Sequence, residues 1–122
     1  MKPSTAKSKG AQTETQFVEF LKANGVPNAE RRHLSGAYDK GDISGWVQSN
    51  GSKPVCVEVK SGAQLNIQGW LRELDAEIIN SKADIGFLAI RPKGKPRPED
   101  WYIVMRTPGF IDLMREAEYI TE

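Results

Sequence analysis

The 122-residue sequence contains one cysteine, one histidine and no long apolar run. A single cysteine, Cys56, cannot close an internal disulfide, so we expect a reducing, cytoplasmic environment. One histidine and one cysteine are too few ligands for a structural zinc site. No apolar stretch approaches the roughly 18 residues of a membrane helix, and no segment resembles a secretory leader, so we expect no membrane contact.

The net charge of +1 argues, by itself, against a nucleic-acid binder. The charges are unevenly distributed, however. Of the 17 basic and 16 acidic residues, one basic and four acidic residues lie in the segment 107–122, which leaves 16 basic and 12 acidic residues in 1–106. A bound cation would offset several of those remaining acids. The excess of positive charge in residues 1–106 therefore permits a basic surface that contacts a phosphate backbone.

Hydrophobic periodicity and turn residues predict a single α/β domain over residues 10–122, preceded by a flexible basic arm at residues 1–9. The predicted element order is α-β-β-β-α-β-β-α, which is typical of a mixed sheet flanked by helices. The predicted elements are a helix at 11–24, strands at 29–34, 43–48 and 54–60, a helix at 66–82, strands at 85–90 and 101–106, and a final helix from Thr107.

A predicted hairpin carries the most informative residues. Asn-Gly, at positions 50 and 51, is the strongest short-range hairpin signal when it stands between two extended segments. Because side chains alternate along a strand, Glu58 and Lys60 share one face, about 7 Å apart. The hairpin should also bring Asp42 close to Glu58. Two carboxylates as close together as Asp42 and Glu58 are both ionised readily only when a cation lies between them. Carboxylate oxygens are hard ligands, which Mg²⁺ and Mn²⁺ prefer.

Two further acids are candidates for the same site. Glu14 lies on the apolar stripe of the first predicted helix, where an acid is unusual. A carboxylate near a helix N-terminus is equally explained by its interaction with the helix dipole. Asp39 is an alternative to Asp42, although it is three residues farther from the strand.

Three segments combine in a recognisable way: Gly10-Ala11-Gln12-Thr13-Glu14, Gly41-Asp42 and Val57-Glu58-Val59-Lys60. In this combination the chain resembles the PD-(D/E)XK nuclease superfamily, and within it the archaeal-type Holliday-junction resolvases and small phage-encoded endonucleases. The resemblance covers about residues 10–106. One departure is Gly41, which stands where the name of the motif has proline.

The resemblance implies a restriction-endonuclease-like fold and a Mg²⁺-dependent endodeoxyribonuclease, with Mn²⁺ able to substitute. It implies that Asp42, Glu58, Glu14 and the Val59 carbonyl hold the metal, and that Lys60 acts at the attacking water. It also implies a homodimer that cuts branched DNA, such as four-way junctions, in recombination or repair. The location would be the cytoplasm, or the host cytoplasm for a phage-encoded chain.

Other residues complete the predicted site and its DNA contacts. Gln68, at the start of the second predicted helix, is a candidate to reach the metal site, and an exposed helix-start amide is an equally good interpretation. The candidate phosphate contacts are basic residues of the predicted strand at 29–34 and of the proline-rich loop after the strand at 85–90: Arg31, Arg32, Lys93, Lys95 and Arg97.

Two alternatives stay open. The first keeps the chemistry and changes the substrate, as in a nicking, flap or restriction-like DNA nuclease. The second belongs to another functional class, a catalytically inactive nuclease fold that only binds DNA. The presence of Asp42, Glu58 and Lys60 together argues against the second alternative, because a protein that only binds DNA needs none of these closely spaced charges.

Overall fold

The computed structural model describes residues 5–33, 38–51 and 53–121. It confirms the predicted α/β class, with a mixed sheet and helices. In chain order the elements are α1 (Thr5–Ala23), β1 (Glu30–Arg31), β2 (Ile43–Ser44), β3 (Val55–Gly62), α2 (Ile67–Ser81), β4 (Ile85–Pro92), a 3-10 helix (Pro98–Asp100), β5 (Tyr102–Val104) and α3 (Thr107–Glu116). Among these helices, none is long and apolar enough to cross a membrane.

A three-stranded sheet in the order β3-β4-β5 forms the centre of the fold. β3 and β4 are parallel, with Glu58 opposite Leu88, and β5 is antiparallel to β4. Helix α2 makes the crossover that two parallel strands require. The continuous apolar run at 85–90 predicts a strand covered on both faces, and β4 is indeed buried from Gly86 to Ile90.

Helices cover both faces of this sheet and thereby divide the core in two. On one face, the apolar stripe of α1 packs against Val57 and Val59 of β3. On the other face, Leu74 of α2 packs against Cys56 of β3. Because side chains alternate along a strand, Glu58 lies on the α2 side of the sheet.

The predicted strand at 43–48 is shorter in the structure. Gly45, with a φ of 85°, ends β2, and its α-carbon passes so close to the carbonyl of Asn28 that a side chain has no room. The segment nevertheless runs antiparallel to β3, because the amide of Asp42 donates to the Val57 carbonyl at 2.8 Å. Asp42 therefore lies beside β3, as the predicted hairpin requires.

The ends of the helices follow local signals to different degrees. Helix α2 has nearly its predicted bounds, with the Asn66 side chain accepting from the Gly69 amide and Lys82 ending the helix in the left-handed conformation. Helix α1 begins at Thr5, earlier than predicted, so residues 5–9 of the predicted arm are helical. Residues 1–4 lie outside the described part of the chain. Alanine and lysine are good helix formers, and they extend a helix that the core already anchors.

Candidate metal centre beside strand β3

The loop that precedes β2 is fixed between β3 and α2. The Asp39 carboxylate accepts from the Gly41 amide at 2.9 Å, and the Asp39 carbonyl accepts from the Asn80 side chain of α2 at 2.8 Å. Gly41 has a φ of 98°, and a β-carbon there would lie 2.9 Å from the Val57 carbonyl. Both its conformation and its close contact therefore require glycine. The result is a loop that presents Asp39 and Asp42 to the edge of the sheet.

Asp42 is bound to β3 through its side chain as well as its backbone. Its Oδ2 accepts from the Val59 amide at 2.7 Å. Burial raises the pKa of Asp42 to about 6, and the negative charge of Glu14 acts in the same direction, although the Val59 hydrogen bond opposes both. The Val59 amide thus orients this carboxylate. The resemblance implies a different role for Val59, in which its carbonyl binds the metal.

Three carboxylates converge on the α2 side of β3. Oxygen atoms of Asp39, Glu58 and Glu77 all lie within 4.8 Å of one another. Glu58 is only 6% exposed and Glu77 only 3%. Within the described residues, Glu58 Oε1 and Glu77 Oε1 have no hydrogen-bond partner. Ionised carboxylates cannot donate hydrogen bonds to one another, so this cluster requires either bound protons or a bound cation.

The pKa values of the two buried glutamates express the same requirement. Burial, followed by the charges of Asp42 and Glu77, raises the pKa of Glu58 to about 10. Burial and the neighbouring Asp39 raise the pKa of Glu77 to about 8. Each carboxyl therefore favours its neutral form unless a positive charge enters the cluster. A set of carboxylate oxygens is the ligand type that Mg²⁺ and Mn²⁺ prefer, so these residues fit such an ion.

Glu77 is a carboxylate of this cluster that the sequence interpretation did not identify as a candidate. It follows Leu74 by three residues and precedes Ile78, so it lies on the apolar stripe of α2. An acid on an apolar stripe is the signal that drew attention to Glu14, and the same signal was available for Glu77. Asp39, considered only as an alternative to Asp42, belongs to the converging group together with Glu58.

Lys60 lies next to this cluster on the same face of β3. Its Nζ is 3.4 Å from Glu58 Oε2 and 2.9 Å from Glu73 Oε1, and it lies 5.8 Å from the centre of the Trp70 ring. Burial alone would lower the pKa of Lys60, but the hydrogen bond to Glu73 and the close contact with Glu58 outweigh it and hold the pKa above its usual value. Lys60 is therefore a charged ammonium group with a defined position.

Glu14 lies at the edge of the site, whereas Gln68 lies nine residues before Glu77 on α2. Glu14 pairs with Arg31 at 3.0 Å, and its side chain is 21% exposed. Its charge still raises the pKa of Asp42, so the two carboxylates are neighbours. The three converging carboxylates, however, do not include Glu14. Gln68 is exposed on the first turn of α2.

The remaining basic candidates occupy different environments. Arg32 is half-buried, and its Nη2 donates to a carbonyl of β2 at 3.3 Å. Arg97 is exposed and lies 3.5 Å from an acid of the adjoining 3-10 helix. Lys93 and Lys95 are exposed in the loop after β4. Among these residues, the lysines are the more accessible to a phosphate.

Comparisons of the chain with protein-family models, with curated proteins and with solved structures found no match. The functional assignment therefore depends on the geometry of the site. That geometry is a cluster of three carboxylates, of which Glu58 and Glu77 are buried and Asp39 is exposed, with a fixed lysine beside Glu58.

Proposed function

We propose that this protein is a metal-dependent endonuclease that hydrolyses phosphodiester bonds of DNA and has a restriction-endonuclease-like fold. The observation that carries the proposal is the convergence of Glu58 and Lys60 with acids from neighbouring elements beside one buried strand. Burying a carboxylate next to other carboxylates destabilises a fold unless the charges are compensated. A protein that only needed a surface ion pair, or only bound DNA, would have no use for this arrangement.

The residues available to hold a metal come from several elements. Asp42, Glu58, Glu14 and the Val59 carbonyl are the ligands that the resemblance implies, and Asp39 and Glu77 are the carboxylates that the geometry adds. A bound Mg²⁺ or Mn²⁺ would supply Lewis-acid chemistry at the scissile phosphate. Glu14 would contribute through its effect on Asp42.

The protein side chains have separate tasks in this mechanism. Lys60, held by Glu73 and Glu58, would place a compact positive charge where negative charge develops on the phosphate in the transition state. Its ammonium group would also donate a hydrogen bond to the attacking water and so orient it. The Val59 amide keeps the Asp42 carboxylate in one orientation. These groups are positioned before DNA arrives, and such preorganisation is the main source of electrostatic catalysis.

Branched DNA is the proposed substrate, and a homodimer is the proposed assembly. A symmetric four-way junction needs two cuts, and a two-fold dimer presents two sites at a fixed separation. Leu74 of α2 is occupied in the protein's own core, whereas Phe110 and Leu113 of α3 are 47% and 39% exposed. These two side chains provide apolar surface for the proposed pairing.

The decisive experiment is a cleavage assay on labelled four-way junction, flap, nicked and linear duplex DNA with Mg²⁺. We expect paired incisions near the branch point, no cleavage in EDTA, and binding without cleavage in Ca²⁺, whose looser coordination orients water poorly. Junction DNA should bind at least about tenfold tighter than linear duplex, which corresponds to about 1.4 kcal/mol. Glu58→Gln should abolish cleavage, and Glu19→Gln, on the exposed face of α1, is the matched control.

Each contrary outcome has a definite meaning. Undiminished cleavage in EDTA would remove the metal mechanism. Cleavage of linear duplex as readily as junctions would retain the nuclease and remove the junction preference. DNA binding without any cleavage in Mg²⁺ or Mn²⁺ would instead assign the chain to the inactive, DNA-binding class.

A further inference from the structure

A polar cavity of about 260 Å³ lies between α1 and the ends of β3 and β4. Lys9, Gln12 and Thr13 of α1 form one wall, and residues 61–63 and 91–94 form the others. Three of the ten lining residues are cations, and none of the ten is an acid. Since the whole chain has a net charge of only +1, this is a local concentration of positive charge.

The three cations are presented in two ways. Arg91 is held in place, because its Nη1 donates to Gln16 Oε1 at 3.1 Å and its guanidinium lies 6.0 Å from the centre of the Trp101 ring. Lys9 and Lys93 are exposed, and neither forms an ion pair with an acid in the described segments. A fixed guanidinium and two accessible ammonium groups are the donors that proteins use to bind phosphate.

The size of the cavity limits what it can bind. Pockets for small molecules usually measure about 300 to 1,000 Å³ and have a mostly apolar lining. This cavity is smaller, and its lining is made of basic, polar and small residues. It therefore suits a single tetrahedral anion better than an entire cofactor.

Its position relates it to the metal centre. Ser61, in the cavity wall, follows Val59 by two residues on β3, a separation of about 7 Å. Val59 in turn donates to Asp42. The cavity lies on the α1 side of the sheet and the converging carboxylates lie on the α2 side, so a DNA strand would reach both by crossing the end of β3. A DNA strand carries one phosphate for about every 3.4 Å of helix axis, so further phosphates flank the scissile one along such a path.

We infer that this cavity binds one phosphate group of the cleaved DNA strand, within a few nucleotides of the scissile bond. The inference rests on the proposed function. The cavity would set where along the strand the metal centre acts, since a second fixed phosphate defines the register of the backbone. Lys9, Arg91 and Lys93 would together bind this phosphate. Lys93 would thereby differ from its loop neighbours Lys95 and Arg97, which do not line the cavity.

The test measures DNA binding without cleavage. A fluorescein-labelled four-way junction is titrated with protein in Ca²⁺ at several salt concentrations, and binding is followed by anisotropy. The double variant Lys9→Ala/Lys93→Ala should bind about tenfold more weakly. Because both lysines contact the same phosphate and Arg91 remains beside it, the slope of log K against log salt should become shallower by no more than about 0.9, whereas lysines on two separate phosphates would change it by twice that amount. The exposed pair Lys22→Ala/Lys53→Ala is the control and should change neither quantity by as much.

A second variant adds an acid to the cavity wall and keeps all three cations. Gln12 lines the cavity and Thr15 does not, although both are exposed on α1. Gln12→Glu should therefore weaken junction binding several-fold, and Thr15→Glu should weaken it much less. Inorganic phosphate provides a third comparison, followed by NMR shifts of the Gly62 and Gly94 amides.

The outcomes separate this inference from the proposed function. If the wild-type protein cleaves DNA and the cavity variants bind it as tightly as the wild type, the cavity assignment is wrong and the nuclease remains. If inorganic phosphate shifts the two glycine amides while DNA binding is unaffected by the variants, the cavity is a site for free phosphate, which also overturns the assignment. If the wild type neither binds nor cleaves DNA, the proposed function fails together with the inference.

Discussion

Replacing Glu58 by glutamine should stabilise the metal-free protein while it abolishes cleavage. The pKa of Glu58 is raised from 4.5 to about 10, so the folded state holds a proton that the unfolded state releases. A raised folded-state pKa means that this group's contribution to stability is complete below pH 4.5 and is lost as the pH rises towards 10. Glutamine resembles the protonated glutamate and avoids that loss.

The magnitude follows from the linkage between proton binding and folding. Each pH unit between the unfolded and folded pKa values changes the free energy of unfolding by about 1.4 kcal/mol. If Glu58 alone carried the effect, the wild type would lose about 4 kcal/mol between pH 4.5 and pH 7.5. Glu77 and Asp42 share the repulsion with Glu58. We therefore expect Glu58→Gln to gain at least about 2 kcal/mol at pH 7.5 and almost nothing at pH 4.5.

The assay is urea denaturation in EDTA at pH 4.5, 6 and 7.5. A gain of about 2 kcal/mol moves the midpoint by roughly 1 M urea, given usual slopes of about 1 to 3 kcal/mol per molar for a small domain. Glu19→Gln is the control, because Glu19 is exposed and the substitution should show no comparable dependence on pH. A Glu58→Gln protein whose gain is the same at every pH, or which is less stable than the wild type at pH 7.5, would refute the reasoning.

Three further predictions concern neighbouring residues. Lys60→Ala should lower the cleavage rate by at least about a hundredfold while junction affinity in Ca²⁺ stays within a few-fold; a parallel loss of affinity would make the lysine a binding residue. Glu77→Gln should raise the Mg²⁺ concentration for half-maximal cleavage by about tenfold or more, and an unchanged Mg²⁺ dependence would remove Glu77 from the metal centre. Gly41→Ala should lower the free energy of unfolding by about 2 kcal/mol or more, because a β-carbon would add a 2.9 Å contact with the Val57 carbonyl to the strain of a φ of 98°. Gly51→Ala is the control, because Gly51 has a φ of 79° but an added β-carbon there would meet nothing within 4 Å. It should lower the free energy of unfolding through backbone strain alone. Equal losses for the two variants in urea denaturation would contradict the role of the Val57 contact.

The pattern of local signals explains where sequence-based prediction of the secondary structure succeeded. The bounds of α2 depend on Asn66 and on the end of an apolar periodicity, both of which are local. The strand at 43–48 is different, because Gly45 lies against the carbonyl of Asn28, and that contact exists only after distant segments have met. A local pattern cannot report a contact between residues that are 17 positions apart.

The sequence by itself determined which side chains lie together on one face of β3 and which acid lies beside that strand. Alternation along the strand places Glu58 and Lys60 on one face, and the turn at Asn50-Gly51 sets an antiparallel segment that brings Asp42 to the same strand. These relations depend on the backbone geometry of a few consecutive residues, so they can be read without a tertiary structure.

Only the tertiary structure decided what surrounds them. The crossover of α2 lays Glu77 and Glu73 over β3, and the loop held by Asn80 adds Asp39. The raised pKa values of the carboxyl groups depend on burial and on charges from separate elements, which is why no sequence pattern contains them. The basic cavity likewise forms where one helix meets the ends of two strands. Local geometry thus selects the strand residues, and the packing of distant elements determines the partners and the electrostatic environment in which they act.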